Sequence, residues 1–243
     1  MSVVLLLLAL AGAPDARRSG LEFTSPSTQA MQRDDTQNPA MLWVADGAAL
    51  WKAGANSCAS CHGDAATSMR GVAARYPAFD AARARPLDLG QRIRECRSRH
   101  QQGAAMRPES HELLALESYV AYQSRGMPLS PAPDARLAAP IARGKQLFFQ
   151  RIGQLNLSCA QCHDDNWGKR LGGSTIPQGH ANAYPIYRLE WQDMGSLQRR
   201  LRNCMSGVRA GMPPFDAQEL VELELYLAAR AQGMALESPG VRP

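Results

Sequence analysis

The sequence predicts an all-α protein built from two tandem copies of one small domain, related by internal duplication. Three observations predict this. A pentapeptide of the form C-x-x-C-H occurs twice, as CASCH at Cys58–His62 and as CAQCH at Cys159–His163. Each half also closes on the same phrase: ESYVAYQSRGM from Glu117 and ELYLAARAQGM from Glu224 begin at residues 117 and 224, an offset of 107. Between the copies, residues 127 to 140 hold Pro128, Pro131, Pro133 and Pro140 among small residues, which is the composition of a linker. Self-similarity on this scale means a repeated structural unit, and it fixes a fold before it fixes a function.

Taken in order, Val3 to Ala11 form an apolar run of the length of a signal h-region, and Ala11-Gly12-Ala13 supplies a small-residue cleavage site. Residues 1–13 are therefore expected to be a signal peptide. The run is too short to cross a bilayer, so no stable membrane span is expected. Residues 14–38, rich in Ser, Thr, Gln, Asp and Pro without an apolar period, read as an extended arm on the surface. The first domain is expected over 39–127, the proline-rich linker over 128–140 and the second domain over 141–243. In the first domain, Met41, Leu42, Val44, Leu50 and Trp51 suit a short helix ending near Gly54. A loop with Tyr76-Pro77-Ala78-Phe79 follows, and Asp88 caps a helix that Gly103 ends. From about Ser110 to Arg125, Leu113, Leu116 and Val120 mark one helical stripe. The second domain restarts with GKQLFF from Gly144 where the first had GAALW from Gly47. It then runs through CAQCH, a loop with Tyr184-Pro185-Ile186-Tyr187, a helix from about Ser196 to Ser206 and another from about Ala217 to Ala231.

Two cysteines a helical turn apart can each form a thioether to a porphyrin vinyl group while the next residue, a histidine, coordinates the iron. C-x-x-C-H thus reads as covalent c-type haem attachment, through Cys58 and Cys61 with His62 and through Cys159 and Cys162 with His163. Zinc also takes C-x-x-C, but it gives no reason for a histidine directly after the second cysteine both times. The expected fold is therefore two cytochrome c-like domains carrying two c-type haems. Bacterial c-type haem is attached outside the cytoplasm, as resemblance to that motif implies, so a periplasmic location is expected.

The formal net charge of +5 rests on arginine, with 24 Arg against Lys52, Lys145 and Lys169. No helix carries the run of Lys and Arg with interleaved aromatics that nucleic-acid binding needs. Arginine suits bidentate binding of small oxyanions and of haem propionates.

Two cysteines remain, Cys96 and Cys204, in the matching frames Arg92-Ile93-Arg94-Glu95-Cys96 and Arg200-Leu201-Arg202-Asn203-Cys204. Arginine four residues before each cysteine shares its helix face and favours the thiolate. Three arrangements satisfy the pair. They form a disulfide with each other; or they are inert, with Met106 and Met212 of Met106-Arg-Pro and Met212-Pro-Pro completing the irons; or each is the distal ligand of its own haem, which recurrence in both halves favours.

The duplicated C-x-x-C-H, the R-x-R-x-C frames and the two closing phrases resemble SoxA, the dihaem subunit of the SoxAX cytochromes of sulfur oxidation. The resemblance covers residues 39 to 243. It implies His/Cys ligation of both irons, by His62 with Cys96 and by His163 with Cys204. It also implies that Cys204 is the active-site residue, carried as a persulfide, and that Arg200 binds substrate. The activity implied is L-cysteine S-thiosulfotransferase: oxidative conjugation of thiosulfate to a cysteine of a SoxYZ-like carrier protein, in a heterodimer with a SoxX-like monohaem cytochrome. The family often lacks a methionine where Met212-Pro213 stands. Arg202, Arg209 and Arg230 are further candidate oxyanion contacts or, equally, solvated helix faces. The rival functions are a dihaem thiosulfate dehydrogenase forming tetrathionate and a plain His/Met dihaem electron carrier.

Overall fold

In the computed structural model, which describes residues 16–131 and 133–243, helices carry the fold and short strands join them. The elements are α1 (Pro26–Arg33), α2 (Met41–Lys52), α3 (Cys58–His62), α4 (Ala65–Ser68), β1 (Ala78–Asp80), β2 (Arg85–Leu87), α5 (Leu89–His100) and α6 (His111–Tyr122). The second half continues with α7 (Ala138–Phe149), α8 (Cys159–His163), β3 (Arg170–Leu171), β4 (Ser174–Thr175), β5 (Ile186–Arg188), β6 (Asp193–Gly195), α9 (Leu197–Gly207), α10 (Gln218–Arg230) and β7 (Gly240–Arg242). The expected signal peptide lies outside the described residues.

Each half is built around one pair of crossed helices, α2 on α6 and α7 on α10. Glycine sets both crossings. A Cβ on Gly47 would stand 2.1 Å from the Ala115 carbonyl oxygen, and one on Gly144 would stand 2.0 Å from that of Glu222. Only a residue without a side chain lets the backbones approach so closely. The helix ends follow capping chemistry. Asp88 Oδ1 accepts from the Gln91 amide at 2.7 Å while the Gln91 side chain returns to the Asp88 amide, and Ser110 and Ser196 cap α6 and α9.

The cores repeat as well. In the first half Trp51, Ala65 and Val120 enclose the space beside Cys58, and in the second Phe148, Ala160, Leu201, Leu220, Leu223 and Leu227 do so beside Cys159. The two closing phrases meet each other: the Leu129 amide donates to the Met234 carbonyl at 2.8 Å and the Leu236 amide to the Met127 carbonyl at 2.9 Å. A duplicated segment that pairs with its own copy gives the molecule a pseudo-twofold relation. Around that relation Leu114 of the first half packs with Tyr187 and Met194 of the second.

Three expectations are corrected. Residues 14–38 are not simply an extended arm, since they hold a 3-10 turn at Gly20–Phe23 and the helix α1. Ser25 and Pro26, which read as loop residues, are the N-cap and first residue of α1, where proline's missing N–H costs nothing. Gln32 of α1 accepts from the Val241 amide of β7 at 2.8 Å, so the segment is pinned to the C-terminus. Pro140, placed in the linker, is buried in the first turn of α7. Lastly, the two Tyr-Pro loops form the hairpins β1–β2 and β5–β6, the second extended by parallel pairing of β5 with β7. Strands of three residues are too short to show an alternating pattern.

Candidate active site in the second half

Ser158 Oγ accepts from the Gln161 amide and the Gln161 side chain returns to the Ser158 amide, at 3.3 and 2.9 Å, so α8 is a single turn locked at its start. That turn carries Cys159, Cys162 and His163. Arg200 and Cys204 lie one turn apart on α9, whose Leu197, Leu201 and Met205 pack into the same core as Ala160 and Cys159. Packing of α9 into the core that also holds α8 brings Cys204 close to His163.

His163 is held from behind. Its Nδ1 donates to the Pro177 carbonyl at 2.8 Å, which leaves Nε2 as the free ligating nitrogen. Gly179, at φ +74°, passes so near that a Cβ there would lie 2.9 Å from the imidazole Cγ. Gln178, between them, is fixed by the arm: its Nε2 donates to the Ala16 carbonyl at 3.2 Å, and its Oε1 accepts from the Arg18 amide at 2.6 Å. Arg230 donates to the Gln178 carbonyl at 3.3 Å, pairs with Asp164 and lies over Phe148. Arg202 donates to the Pro213 carbonyl and stacks on Phe215, while Arg209 is exposed. Arg202 and Arg230 thus each have protein partners, while the Arg230 Nε–H is buried without one among the described residues.

The electrostatics single out Cys204. Burial pushes its thiol up, but the neighbouring His163 and the charges of Arg200 and Arg188 outweigh burial and hold it below the ordinary value. Burial pushes its neighbour Cys159 up to about 11. Cys96 behaves oppositely to Cys204. Burial and the adjacent Cys58 and Cys61 thiols raise it, against a small opposing effect of Arg92. The two arginines hold matching positions, yet Arg92 is tied to Asp80 and has Glu95 3.7 Å away, where the second half has the neutral Asn203. Arg92 thus favours the Cys96 thiolate as expected, but burial and the neighbouring thiols outweigh it.

In the first half, α3 carries Cys58, Cys61 and His62, with the Trp51 ring 5.8 Å from the His62 ring and Cys58 accepting from Gln101 at 3.4 Å. Among the described residues all six cysteines are free, and Cys96 and Cys204 each lie against the C-x-x-C of their own half, so the disulfide arrangement is not formed. Met212 is half exposed and Met106 lies among Arg83, Arg85 and Glu95, whereas Cys204 is the side chain that stands at His163.

One residue escaped sequence reading. Arg188 ends β5 with its side chain only 9% exposed, its Nη2 3.0 Å from Glu190 and its guanidinium 5.1 Å from the Trp191 ring centre. The signal was present in the duplication, as Tyr76-Pro77-Ala78-Phe79-Asp80 aligns with Tyr184-Pro185-Ile186-Tyr187-Arg188.

The comparisons agree with this geometry. The family model for the SoxA/TsdA cytochrome c domain matches residues 46–129 and 143–236. The L-cysteine S-thiosulfotransferase subunit SoxA of Pseudaminobacter salicylatoxidans is 39% identical, over 94% of this chain and 82% of its own. The chain belongs to the SoxA family. The SoxA subunit of Paracoccus pantotrophus is 34% identical over 96% of this chain and 81% of its own. The crystal structure of SoxXA from P. pantotrophus superposes on this SoxA-family chain with a TM-score of 0.89 at 33% identity, covering 93% of this chain and 87% of that one. A cytochrome c domain implies covalent c-type haem. The second half fits that group: the two C-x-x-C thiols share one helical turn, His163 has the tautomer of an iron ligand fixed by Pro177, and a soft sulfur donor faces it. Among the described residues no cluster of three His, Cys, Asp or Glu side chains could hold a bare metal ion, and no helix is long and apolar enough to cross a membrane.

Proposed function

We propose that this chain catalyses the oxidative conjugation of thiosulfate to a cysteine thiol of a carrier protein. The observation that carries the reading is Cys204, a thiol held below its ordinary pKa between His163 and two guanidinium groups. Arg200 is half-buried on the same face, its charge weakened by burial but upheld by Cys204, Tyr184 and Glu190. A cationic pocket of this kind pairs with sulfonate oxygens and presents the outer sulfur of thiosulfate to Cys204. Cys204 serves as the active-site sulfur, carried as a persulfide. In the net reaction an S–S bond forms between that outer sulfur and the carrier cysteine, the thiol proton passes to solvent and two electrons leave. Haem supplies the exit for those electrons when bound.

Two haems are proposed, one on Cys58 and Cys61 with His62 and Cys96 as axial ligands, and one on Cys159 and Cys162 with His163 and Cys204. The superposed SoxXA structure supports a heterodimer with a SoxX-like subunit, proposed here to be a monohaem cytochrome; a SoxYZ-like carrier and a periplasmic location belong to the same proposal. The electron paramagnetic resonance spectrum of the purified protein tests the ligands: two thiolate-type low-spin signals are expected, and methionine-type signals contradict the assignment. An assay with thiosulfate but no carrier tests the reaction. Little tetrathionate is expected, and rapid tetrathionate formation would make the protein a thiosulfate dehydrogenase.

A further inference from the structure

From the Tyr-Pro loop to the cysteine of the following helix the two halves align residue for residue. Tyr76 and Tyr184, Arg92 and Arg200, and Cys96 and Cys204 all stand 108 positions apart in the chain, and so do Asp80 and Arg188. The strand register repeats too, with Asp80 opposite Arg85 and Arg188 opposite Asp193. In the first half the residue ending the strand reaches the arginine on the helix, forming the Asp80–Arg92 ion pair. In the second half the same two positions hold Arg188 and Arg200. The charge at the strand position has been reversed, so a position that closes an ion pair in one copy brings two like charges together in the other.

Like charges at close range are tolerated where an anion completes them. Arg188 bears the marks of such a place. Burial and the Arg200 charge both weaken it, and among the described residues its ion-pair partner is Glu190, itself half exposed. Its Nε–H is buried without a hydrogen-bond partner among the described residues, the condition of a donor that waits for an acceptor. Trp191 holds the guanidinium flat, and Arg199 stacks 4.2 Å from the same ring, so Arg188 is braced before any ligand arrives.

We propose that Arg188 and Arg200 together form the seat of a dianionic sulfur oxyanion beside Cys204, and that Asp80 closes the equivalent seat beside Cys96. Arg188 is then the residue that makes the site select a dianion over a monoanion. The charge reversal also decides which of two similar halves takes substrate. This inference rests on the function proposed above, with thiosulfate as the dianion.

The test uses the haem-loaded chain in complex with its monohaem partner, without carrier, and measures equilibrium binding by calorimetry. The probes are thiosulfate and methanesulfonate, a monoanion of similar oxygen geometry. Arg188→Met is expected to weaken thiosulfate binding by about 10- to 100-fold, the loss of charge-assisted hydrogen bonds, and methanesulfonate binding by much less. Arg188→Lys, which keeps the charge and loses the fork, should fall between. Asp80→Ala should leave thiosulfate affinity unchanged. Visible spectra with both haems intact show that each variant is folded. If the parent complex binds no thiosulfate, the proposed function falls and this inference with it. Should the parent bind and Arg188→Met bind equally well, or lose both anions alike, the role of Arg188 alone is overturned.

Discussion

Between the halves lies a cavity of about 120 Å³ lined by Asp88, Glu109, Glu117, Asp216 and Glu224, with Arg94, Gln91 and Gln198. Burial pushes the Asp88 carboxyl up to about 6, Asp216 adds to the rise, and the Gln91 amide with Arg94 and Arg85 opposes it. Glu117 and Glu224 are raised well above the usual range, first by burial and then by Asp88. The folded state therefore keeps protons that the unfolded chain sheds. The stability from these groups is fully present below the unfolded carboxyl pKa near 4 and is lost as pH rises through the folded values. For Asp88 the rise from 3.8 to about 6 is worth about 1.4 kcal/mol per unit, or ~3 kcal/mol at pH 7. Asp88→Asn removes the ionisation but keeps the Oδ1 cap on Gln91, while its new N–H₂ meets Gln198 Nε2, now 2.8 Å from Oδ2. That mismatch costs the same at every pH. The pH-dependent part is then the readout: relative to the parent, Asp88→Asn should gain about 2–3 kcal/mol between pH 4 and pH 7 in urea unfolding. A pH-independent difference, or a variant that loses ground as pH rises, refutes the buried protonated cluster.

Three further outcomes are expected. Gly47→Ala drives a methyl into the Ala115 carbonyl where α2 crosses α6, at about 2–3 kcal/mol, so the thermal midpoint should fall by about 5–10 °C. Gly179→Ala places a methyl 2.9 Å from the His163 ring at a positive φ, and spectroelectrochemistry should show the second-half haem potential shifting while the first stays fixed. Arg200→Ala should raise the thiosulfate KM or lower kcat in carrier modification, and unchanged steady-state kinetics would leave Arg200 a structural role.

The helices, their caps and the duplication were legible because they rest on local chemistry. Asp88 and Ser110 are capping residues in any context, and C-x-x-C-H occurs twice. What escaped reading depends on contacts far apart in sequence. Glu117 and Glu224 look like solvated residues on amphipathic helices, and only the meeting of the two halves buries them. Cys96 and Cys204 follow arginines at matching positions, and the ion pair of Arg92 with Asp80, sixteen residues before Cys96, appears only in the folded chain. Arg188 could have been found by aligning the halves over their Tyr-Pro loops. The arm was misread because Ser and Pro serve loops and helix starts alike, and what decides is the docking of Gln32 onto β7.

The central claim is that one of two duplicated cysteines, Cys204, is the reacting sulfur while Cys96 is not. Mass spectrometry of the carrier after incubation with thiosulfate and the haem-loaded complex tests it directly, comparing Cys96→Ser with Cys204→Ser. A thiosulfate adduct on the carrier is expected with Cys96→Ser and none with Cys204→Ser. An adduct formed equally by Cys204→Ser would contradict it.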